Sequence, residues 1–82
     1  MYRILTERKN VAGIKSLLGR LGLDFTVYYG DGSWHGRGEA SMLIELDQAS
    51  KGTAKRAARL IKKSNAQQAV LLQEVPTKSR LI

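Results

Sequence analysis

The 82-residue sequence contains no cysteine and only one histidine. The lack of cysteine excludes disulfide bonds, thiolate metal sites and a cysteine nucleophile. One imidazole per chain is too few for a transition-metal site, so no metal is predicted. His35 shares its segment with Asp31, Ser33 and Glu39, which permits an acid–base pair but specifies no reaction. We therefore predict a protein that is not an enzyme and carries no cofactor.

Long apolar runs are also missing. No run approaches the roughly 20 residues that span a bilayer, and the first residues lack the apolar segment and cleavage site of a signal peptide. We therefore expect a cytoplasmic protein. The length leaves room for one core, so residues 1–82 are predicted to form a single domain with a basic and apolar tail at 77–82. A core of this size also favours self-association.

Acidic residues are scarce. Seven Asp and Glu stand against fourteen Lys and Arg, which gives a net charge of +7. No acid lies between Asp47 and Glu74, whereas six bases lie between Lys51 and Lys63. Such a balance raises the affinity for polyanions. The alternative is that these bases only form a solvated helix face.

Apolar spacing predicts six secondary-structure elements. Alternating residues predict strands at Tyr2–Thr6, Phe25–Tyr29 and Met42–Leu46, and an apolar run predicts a fourth at Ala69–Val75. Helical spacing predicts a first helix that begins at an N-cap, Asn10, and ends at Gly22. Gly22 is expected to form a left-handed C-cap, with Leu23 as its apolar contact. A second helix is predicted between capping residues at Asp47–Ser50 and its end at Ser64–Asn65. The order βαββαβ indicates a ferredoxin-like α+β fold, in which two helices cover one face of a four-stranded antiparallel sheet.

The uncovered sheet face is predicted to be unusually apolar. Strand alternation places Ile4, Val27, Ile44 and Leu71 under the helices. The same alternation assigns to the other face Arg3, Thr26 and Glu45 together with the apolar residues Leu5, Tyr28, Leu43, Val70 and Leu72. Arg3 and Glu45 are expected to pair across adjacent strands. Because contiguous apolar patches usually mark interfaces, we expect the five apolar residues to form the interface of a homo-oligomer, either a trimer or a dimer.

A glycine-rich segment separates the second and third predicted strands and is interpreted as a long loop. It holds the only tryptophan and four of the eight glycines. Trp34 and Arg37 together suit a base and a phosphate, and glycine amides can bind an anion. The predicted ligand-binding residues are Gly30, Gly32, Trp34, His35, Gly36 and Arg37. The alternative is that Trp34 only caps the core or packs into a neighbouring subunit.

The second predicted helix carries a row of bases at spacings of four, four and three residues. This spacing places them along one side of the helix, where they would neutralise phosphates of a nucleic acid. The predicted polyanion-binding residues are Lys51, Lys55, Arg59 and Lys62.

Two short motifs resemble a known group of proteins. Trp34-His35-Gly36 is similar to the Trp-x-Gly of CutA proteins, and Glu74-Val75-Pro76 is similar to their Glu-Val-Pro. The glycine-rich hairpin followed by Ile44-Glu45 also resembles nitrogen-regulatory PII proteins, whose loop there is much longer. The resemblance implies a ferredoxin-like trimer, with PII-type nucleotide sites in the clefts between subunits. The chain lacks the long nucleotide-contacting loop of PII and the His-Pro-Tyr that precedes Glu-Val-Pro in CutA.

Together these observations favour a non-catalytic oligomeric protein that senses or sequesters a nucleotide-like anionic ligand at subunit clefts. Two alternatives stay open. One is a small basic nucleic-acid-binding protein that uses the second helix. The other is an inhibitor, encoded by a mobile element, that docks on a larger protein.

Overall fold

Four strands and two helices follow one another in the order that the sequence predicts. The computed structural model describes residues 1–67 and 70–76, and of Trp34 only the backbone. The elements are β1 (Tyr2–Glu7), α1 (Val11–Arg20), β2 (Asp24–Trp34), β3 (Arg37–Asp47), α2 (Lys51–Ser64) and β4 (Leu71–Glu74). One antiparallel sheet has the strand order β2-β3-β1-β4, which confirms the ferredoxin-like α+β fold. The predicted tail at 77–82 lies outside the described residues, and so does Ala69, the predicted start of the fourth strand.

The two ends of α1 are held in different ways. Gly22 adopts a left-handed φ of 71°, and the amides of Gly22 and Leu23 donate to the carbonyls of Gly19 and Leu18 at 3.0 and 3.1 Å. This is the paired bonding of a Schellman cap, so the predicted helix end is confirmed. At the other end Asn10 occupies the cap position, but its side chain makes no capping hydrogen bond.

The Asn10 side chain connects the two helices. Its Nδ2 donates to Oδ1 of Asn65 at 3.3 Å, and Nδ2 of Asn65 donates to the carbonyl of Lys9 at 3.1 Å. Because Asn65 is the residue at which α2 ends, this chain of bonds fixes the start of α1 against the end of α2. The predicted N-cap is therefore correct in position and wrong in its bonding.

Helix α2 begins at a conventional cap. The Ser50 Oγ accepts a hydrogen bond from the amide of Thr53 at 3.1 Å, as expected of a serine at this position. One side of the helix is an apolar stripe that is buried, and its members are Ala54, Ala57, Ala58 and Ile61. Small side chains let this helix lie close to the sheet.

The core lies between the helices and one face of the sheet. Ile4 of β1 pairs with Ile44 of β3, and Ile44 also pairs with Val27 of β2. Ile4, Ile44 and Leu18 of α1 are completely buried, and Ile14 of α1 is only 2% exposed. These contacts confirm the predicted positions of Ile4, Val27 and Ile44 under the helices.

The prediction for the fourth strand is wrong by one residue. Strand β1 pairs Ile4 with Leu72 and Leu5 with Leu71, so Leu72 shares the helix-covered face and Leu71 the other. Leu72 and Val70 pack against the core, whereas Leu71 is 50% exposed. The run Val70-Leu71-Leu72 is apolar throughout, so its sequence shows no alternation. The pairing with β1 alone decides which side chain faces the helices.

The predicted long loop is instead a continuation of two strands. Strands β2 and β3 pair without interruption, from the cross-strand pair Asp24–Asp47 at one end to the pair Trp34–Arg37 at the other. Only His35 and Gly36 form the turn, with φ angles of 51° and 76°. Two positive φ angles are typical of a type I′ hairpin turn, whose twist suits the flanking strands. The glycine-rich segment is therefore a ribbon that extends beyond the end of β1.

Among the described residues, neither helix has the length and apolar character that crossing a membrane requires.

Replacing Ile44 with alanine should lower the free energy of unfolding by about 2–5 kcal/mol, because it leaves a cavity in a fully packed core. Urea denaturation followed by circular dichroism measures the change. Thr26→Ala is the control, since Thr26 is exposed on the opposite face of the same sheet and should change stability by no more than about 0.5 kcal/mol. Equal losses in both variants would contradict the assigned faces.

Candidate functional site

The sheet face opposite the helices, here called the open face, carries an apolar row across all four strands. Cross-strand pairing aligns Tyr28 with Leu43, Leu43 with Leu5, and Leu5 with Leu71. Leu5 is 41% exposed, and Tyr28 and Leu71 are each 50% exposed. We call these four residues, Tyr28, Leu43, Leu5 and Leu71, the exposed row. Three of the predicted interface residues, Leu5, Tyr28 and Leu43, thus belong to it. Val70 and Leu72 do not belong to it, and Leu71 takes the fourth place.

A polar row lies beside the exposed row. The Arg3 Nε is 3.7 Å from Oε2 of Glu45, with side-chain exposures of 37% and 18%, which confirms the predicted pair. A partly exposed ion pair of this kind contributes at most about 1 kcal/mol to stability. Glu45 also raises the pKa of Tyr28, mainly through a hydrogen bond from the phenol and secondly through its negative charge. The Glu45 carboxylate therefore connects the two rows.

A cavity of about 410 Å³ lies where the ribbon extends past β1. Its apolar side is formed by Leu5, Val70 and Leu71. The described polar and small residues that line it are Thr6, Glu7, Lys9, Gly32, Ser33, Glu39, Ser41, Ala66 and Gln67. Apolar walls with a few polar groups are typical of small-molecule sites, and the volume lies within their usual range.

Gly32 is the glycine of β2 that lines this cavity. A Cβ at Gly32 would come no closer than 3.5 Å to another atom, the Oγ of Ser41. A side chain there would consequently fit against the strands while filling space that the cavity now occupies. The neighbouring Ser41 Oγ donates to the carbonyl of Gly30 at 3.2 Å, which stabilises the ribbon at the cavity edge.

Gln67 forms a buried part of the cavity wall and is 8% exposed. Its Oε1 accepts hydrogen bonds from the Thr6 Oγ1 at 2.8 Å and from the amide of Glu7 at 3.3 Å. Its Nε2 is buried and has no acceptor among the residues that the structure describes. Leaving a buried donor unpaired costs about 1–3 kcal/mol. The side chain thus fixes the end of β1 against the segment that follows α2.

Among the described residues that line the cavity, the charge is slightly negative. Two carboxylates, Glu7 and Glu39, line it together with one ammonium group, that of Lys9. The Nζ of Lys9 lies 4.0 Å from Oε2 of Glu7, so much of its charge is offset locally. A phosphate would meet an excess of negative charge here, whereas hydroxyl and amino groups would meet acceptors.

The predicted ligand-binding residues are spread along the ribbon. Gly32 lines the cavity, and Gly30 lies two residues away on the same face of β2. His35 and Gly36 form the turn at the far tip, and Trp34 pairs there with Arg37. Arg37 also lines a second, more open depression beside Arg8 and Glu39. The predicted set therefore does not converge on one site.

Several cavity residues gave no signal in the sequence. Glu7 and Gln67 lie 60 positions apart, and they meet because the segment after α2 returns beside the end of β1. Glu39 and Ser33 are recognisable in the sequence as polar neighbours of His35. No local pattern indicated that Ser41 or Gln67 faces a cavity.

The predicted polyanion-binding row lies on the exposed side of α2. Lys51, Lys55, Arg59 and Lys62 are all exposed, while the opposite side of the helix is buried against the sheet. This row is on the other side of the protein from the open face. It takes no part in the cavity.

Comparison with known proteins finds solved structures of similar fold. Neither a protein-family model nor a curated protein sequence matches the chain significantly. A phage SAM lyase in complex with S-methyl-5′-thioadenosine has a similar structure, with a TM-score of 0.54 and 18% sequence identity. The similarity covers 87% of this chain and 75% of that chain. At this identity the likeness establishes a shared fold.

This comparison contradicts the prediction that the protein is not an enzyme, because a solved structure of similar fold is that of a lyase. A fold can support catalysis with carboxylates and hydroxyls alone, so the lack of a histidine or cysteine constellation does not exclude an enzyme. The resemblance to CutA and PII proteins stays a prediction, since the comparisons do not bear on it.

The phenol of Tyr28 should titrate above its usual pKa of 10.0 because of Glu45. Glu45→Gln should move this pKa back toward the usual value, as measured by ultraviolet absorbance of tyrosinate. A raised folded-state pKa means that the contribution of this contact to stability is complete below about pH 10 and is lost as the pH rises through the folded-state pKa. Because the chain has three tyrosines, the titration is done in a background of Tyr2→Phe with Tyr29→Phe, in which only Tyr28 absorbs as tyrosinate. An unchanged titration in Glu45→Gln would refute the contact.

Proposed function

We propose that this protein binds a small ligand of the adenine-nucleoside type in the cavity at the end of β1. The observation that carries the proposal is the cavity itself, with its apolar wall of Leu5, Val70 and Leu71 and its polar groups opposite. An apolar wall suits the flat base, and nearby carboxylates and hydroxyls suit the ribose hydroxyls.

The charge of the lining favours a neutral or cationic nucleoside over the anionic nucleotide that the sequence suggested. Glu7 and Glu39 outnumber Lys9, so a triphosphate would be repelled. The phage SAM lyase of similar fold was solved with S-methyl-5′-thioadenosine, a nucleoside without phosphate. That likeness supports the proposed ligand class. The proposed position of the ligand is inferred from the cavity alone.

Turnover in the same cavity is a second candidate function. Two carboxylates on one wall are able to balance the positive charge of a sulfonium reactant or to accept a proton from it. The similarity to a SAM lyase makes S-adenosylmethionine the first reactant to test. Glu39 and Glu7 are the residues that we would assign to this role.

A second copy of the chain on the open face would border this cavity. Leu5 and Leu71 belong both to the exposed row and to the cavity wall. The open face is also self-complementary, because each copy offers Arg3 and Glu45 beside the apolar row, and symmetric interfaces require such complementarity. We therefore keep a homo-oligomer, trimer or dimer, as part of the proposal, with the ligand near the subunit boundary.

Isothermal titration calorimetry should detect binding of S-methyl-5′-thioadenosine at least about tenfold tighter than binding of ATP, a difference of about 1.4 kcal/mol. Gly32→Val should abolish this binding, because the added side chain enters the cavity. Gly30→Val is the matched control on the same strand and face, and it lies outside the cavity lining. Thermal unfolding of both variants shows whether they are folded.

Two results would overturn the binding proposal. One is a wild-type protein that binds ATP as tightly as it binds S-methyl-5′-thioadenosine. The other is an equal loss of nucleoside binding in Gly32→Val and Gly30→Val. The same samples, incubated with S-adenosylmethionine and analysed by chromatography for S-methyl-5′-thioadenosine, test turnover. Glu39→Gln should then slow the formation of S-methyl-5′-thioadenosine. Asp24→Asn, at the far end of the sheet, is the control variant for loss of a carboxylate.

Light scattering after size-exclusion chromatography should give a mass above that of one chain. Leu71→Glu should reduce it to the monomer, because burying an unpaired charge in the interface costs several kcal/mol. Ser16→Glu adds the same charge on the exposed side of α1 and should leave the mass unchanged. A monomeric wild type at micromolar concentration is the outcome that rejects the oligomer.

A further inference from the structure

The two helices together form a surface, here called the helix layer, that carries all of the excess charge. Within α1 and α2 there are eight bases and no acid. All eight are exposed, and they are Lys15, Arg20, Lys51, Lys55, Arg56, Arg59, Lys62 and Lys63. Because the whole chain has a net charge of +7, the residues outside the helix layer carry a net charge of −1.

The acids are confined to the sheet. Every one of the seven lies in a strand: Glu7, Asp24, Asp31, Glu39, Glu45, Asp47 and Glu74. The two ion pairs of the described residues, Arg3 with Glu45 and Lys9 with Glu7, also lie outside the helix layer. Within the described ranges the bases of α1 and α2 therefore have no carboxylate partner.

The arrangement on α2 works against the stability of the helix itself. Lys51, Lys55, Arg59 and Lys63 follow one another at intervals of four residues, and like charges at this spacing repel. Lys51 also lies in the first turn, where the helix dipole disfavours a cation and where no acid is present. A solvated face would serve equally well with mixed charges. The repulsion is relieved when a polyanion supplies the missing negative charge.

We propose that the helix layer binds the phosphate backbone of a nucleic-acid duplex without regard to its sequence. The row from Lys51 to Lys62 extends about 16 Å along the helix, a linear array that suits a regular line of phosphates. Neither helix contains an aromatic residue. Single-stranded nucleic acids are normally held by stacking on aromatic side chains, so the composition favours a duplex.

Other partners fit this surface less well. A protein interface usually contains apolar anchors. In the part of the chain that the structure describes, the exposed large apolar residues, Leu5, Tyr28, Tyr29 and Leu71, all lie in strands. Insertion into a membrane surface needs an apolar helix face. The apolar side of α2 is already buried against the sheet, from Ala54 to Ile61.

Fluorescence anisotropy with a labelled duplex of mixed sequence, about 20 base pairs long, tests the proposal. For four phosphate contacts the logarithm of the association constant should fall against the logarithm of salt concentration with a slope of about −3.6. Raising the salt from about 50 to 200 mM should then weaken binding by roughly a hundredfold. Two unrelated duplex sequences should bind with equal affinity.

The variant Lys55→Gln with Arg59→Gln should weaken duplex binding and make the slope less steep by about 1.8, since two contacts are lost. Arg8→Gln with Arg37→Gln removes the same net charge from exposed positions outside the helix layer and should leave the slope unchanged. Circular dichroism confirms that both double variants retain their helices. Neither variant alters a residue of the nucleoside cavity, so this test is independent of the proposed function.

Four outcomes would overturn the inference. Equal effects of the two double variants would mean that only net charge matters. Tighter binding to a single strand than to the duplex would exclude the proposed geometry. Tighter binding to vesicles of anionic lipid than to the duplex would identify a membrane surface as the partner. An affinity independent of salt would exclude phosphate contacts.

Discussion

The pairing of β1 with β3 is the constraint on which the rest of the structure depends. It aligns Ile4 with Ile44 and Leu5 with Leu43, so one pair is buried under the helices and the next is on the open face. Because β1 lies between β3 and β4, its alternation also fixes the face of Leu71 and Leu72. A shift of one residue would exchange the core and the open face. The exposed row and the cavity at its end both follow from this single register.

The sheet and the helix layer present chemically distinct surfaces. The sheet holds every acid and, among the described residues, the large exposed apolar side chains, whereas the helices hold most of the bases. Attraction between bases and carboxylates within a layer is therefore limited to a few pairs, such as Arg3 with Glu45. The proposed nucleoside cavity and the proposed duplex surface use opposite sides, so occupying one leaves the other accessible.

The glycine-rich segment is a paired ribbon of β2 and β3 and is not a free loop. Its backbone groups pair with the neighbouring strand up to Trp34 and Arg37, which satisfies donors and acceptors that a free loop would leave to water. Glycine is needed for a positive φ at Gly36. At Gly32 the missing side chain serves a different purpose, since it leaves space for the cavity.

The sequence by itself determined the element order, the helix ends at Gly22 and Asn65, and the buried stripe of α2, because each rests on local spacing and capping. It also determined the pairing of Arg3 with Glu45 once the strand order was inferred. Only the tertiary structure decided the face of Leu71, since an all-apolar run has no alternation to read. It likewise decided the ribbon and the cavity, because Glu7, Gly32 and Gln67 are distant in sequence and meet only when the sheet and the segment after α2 are in place.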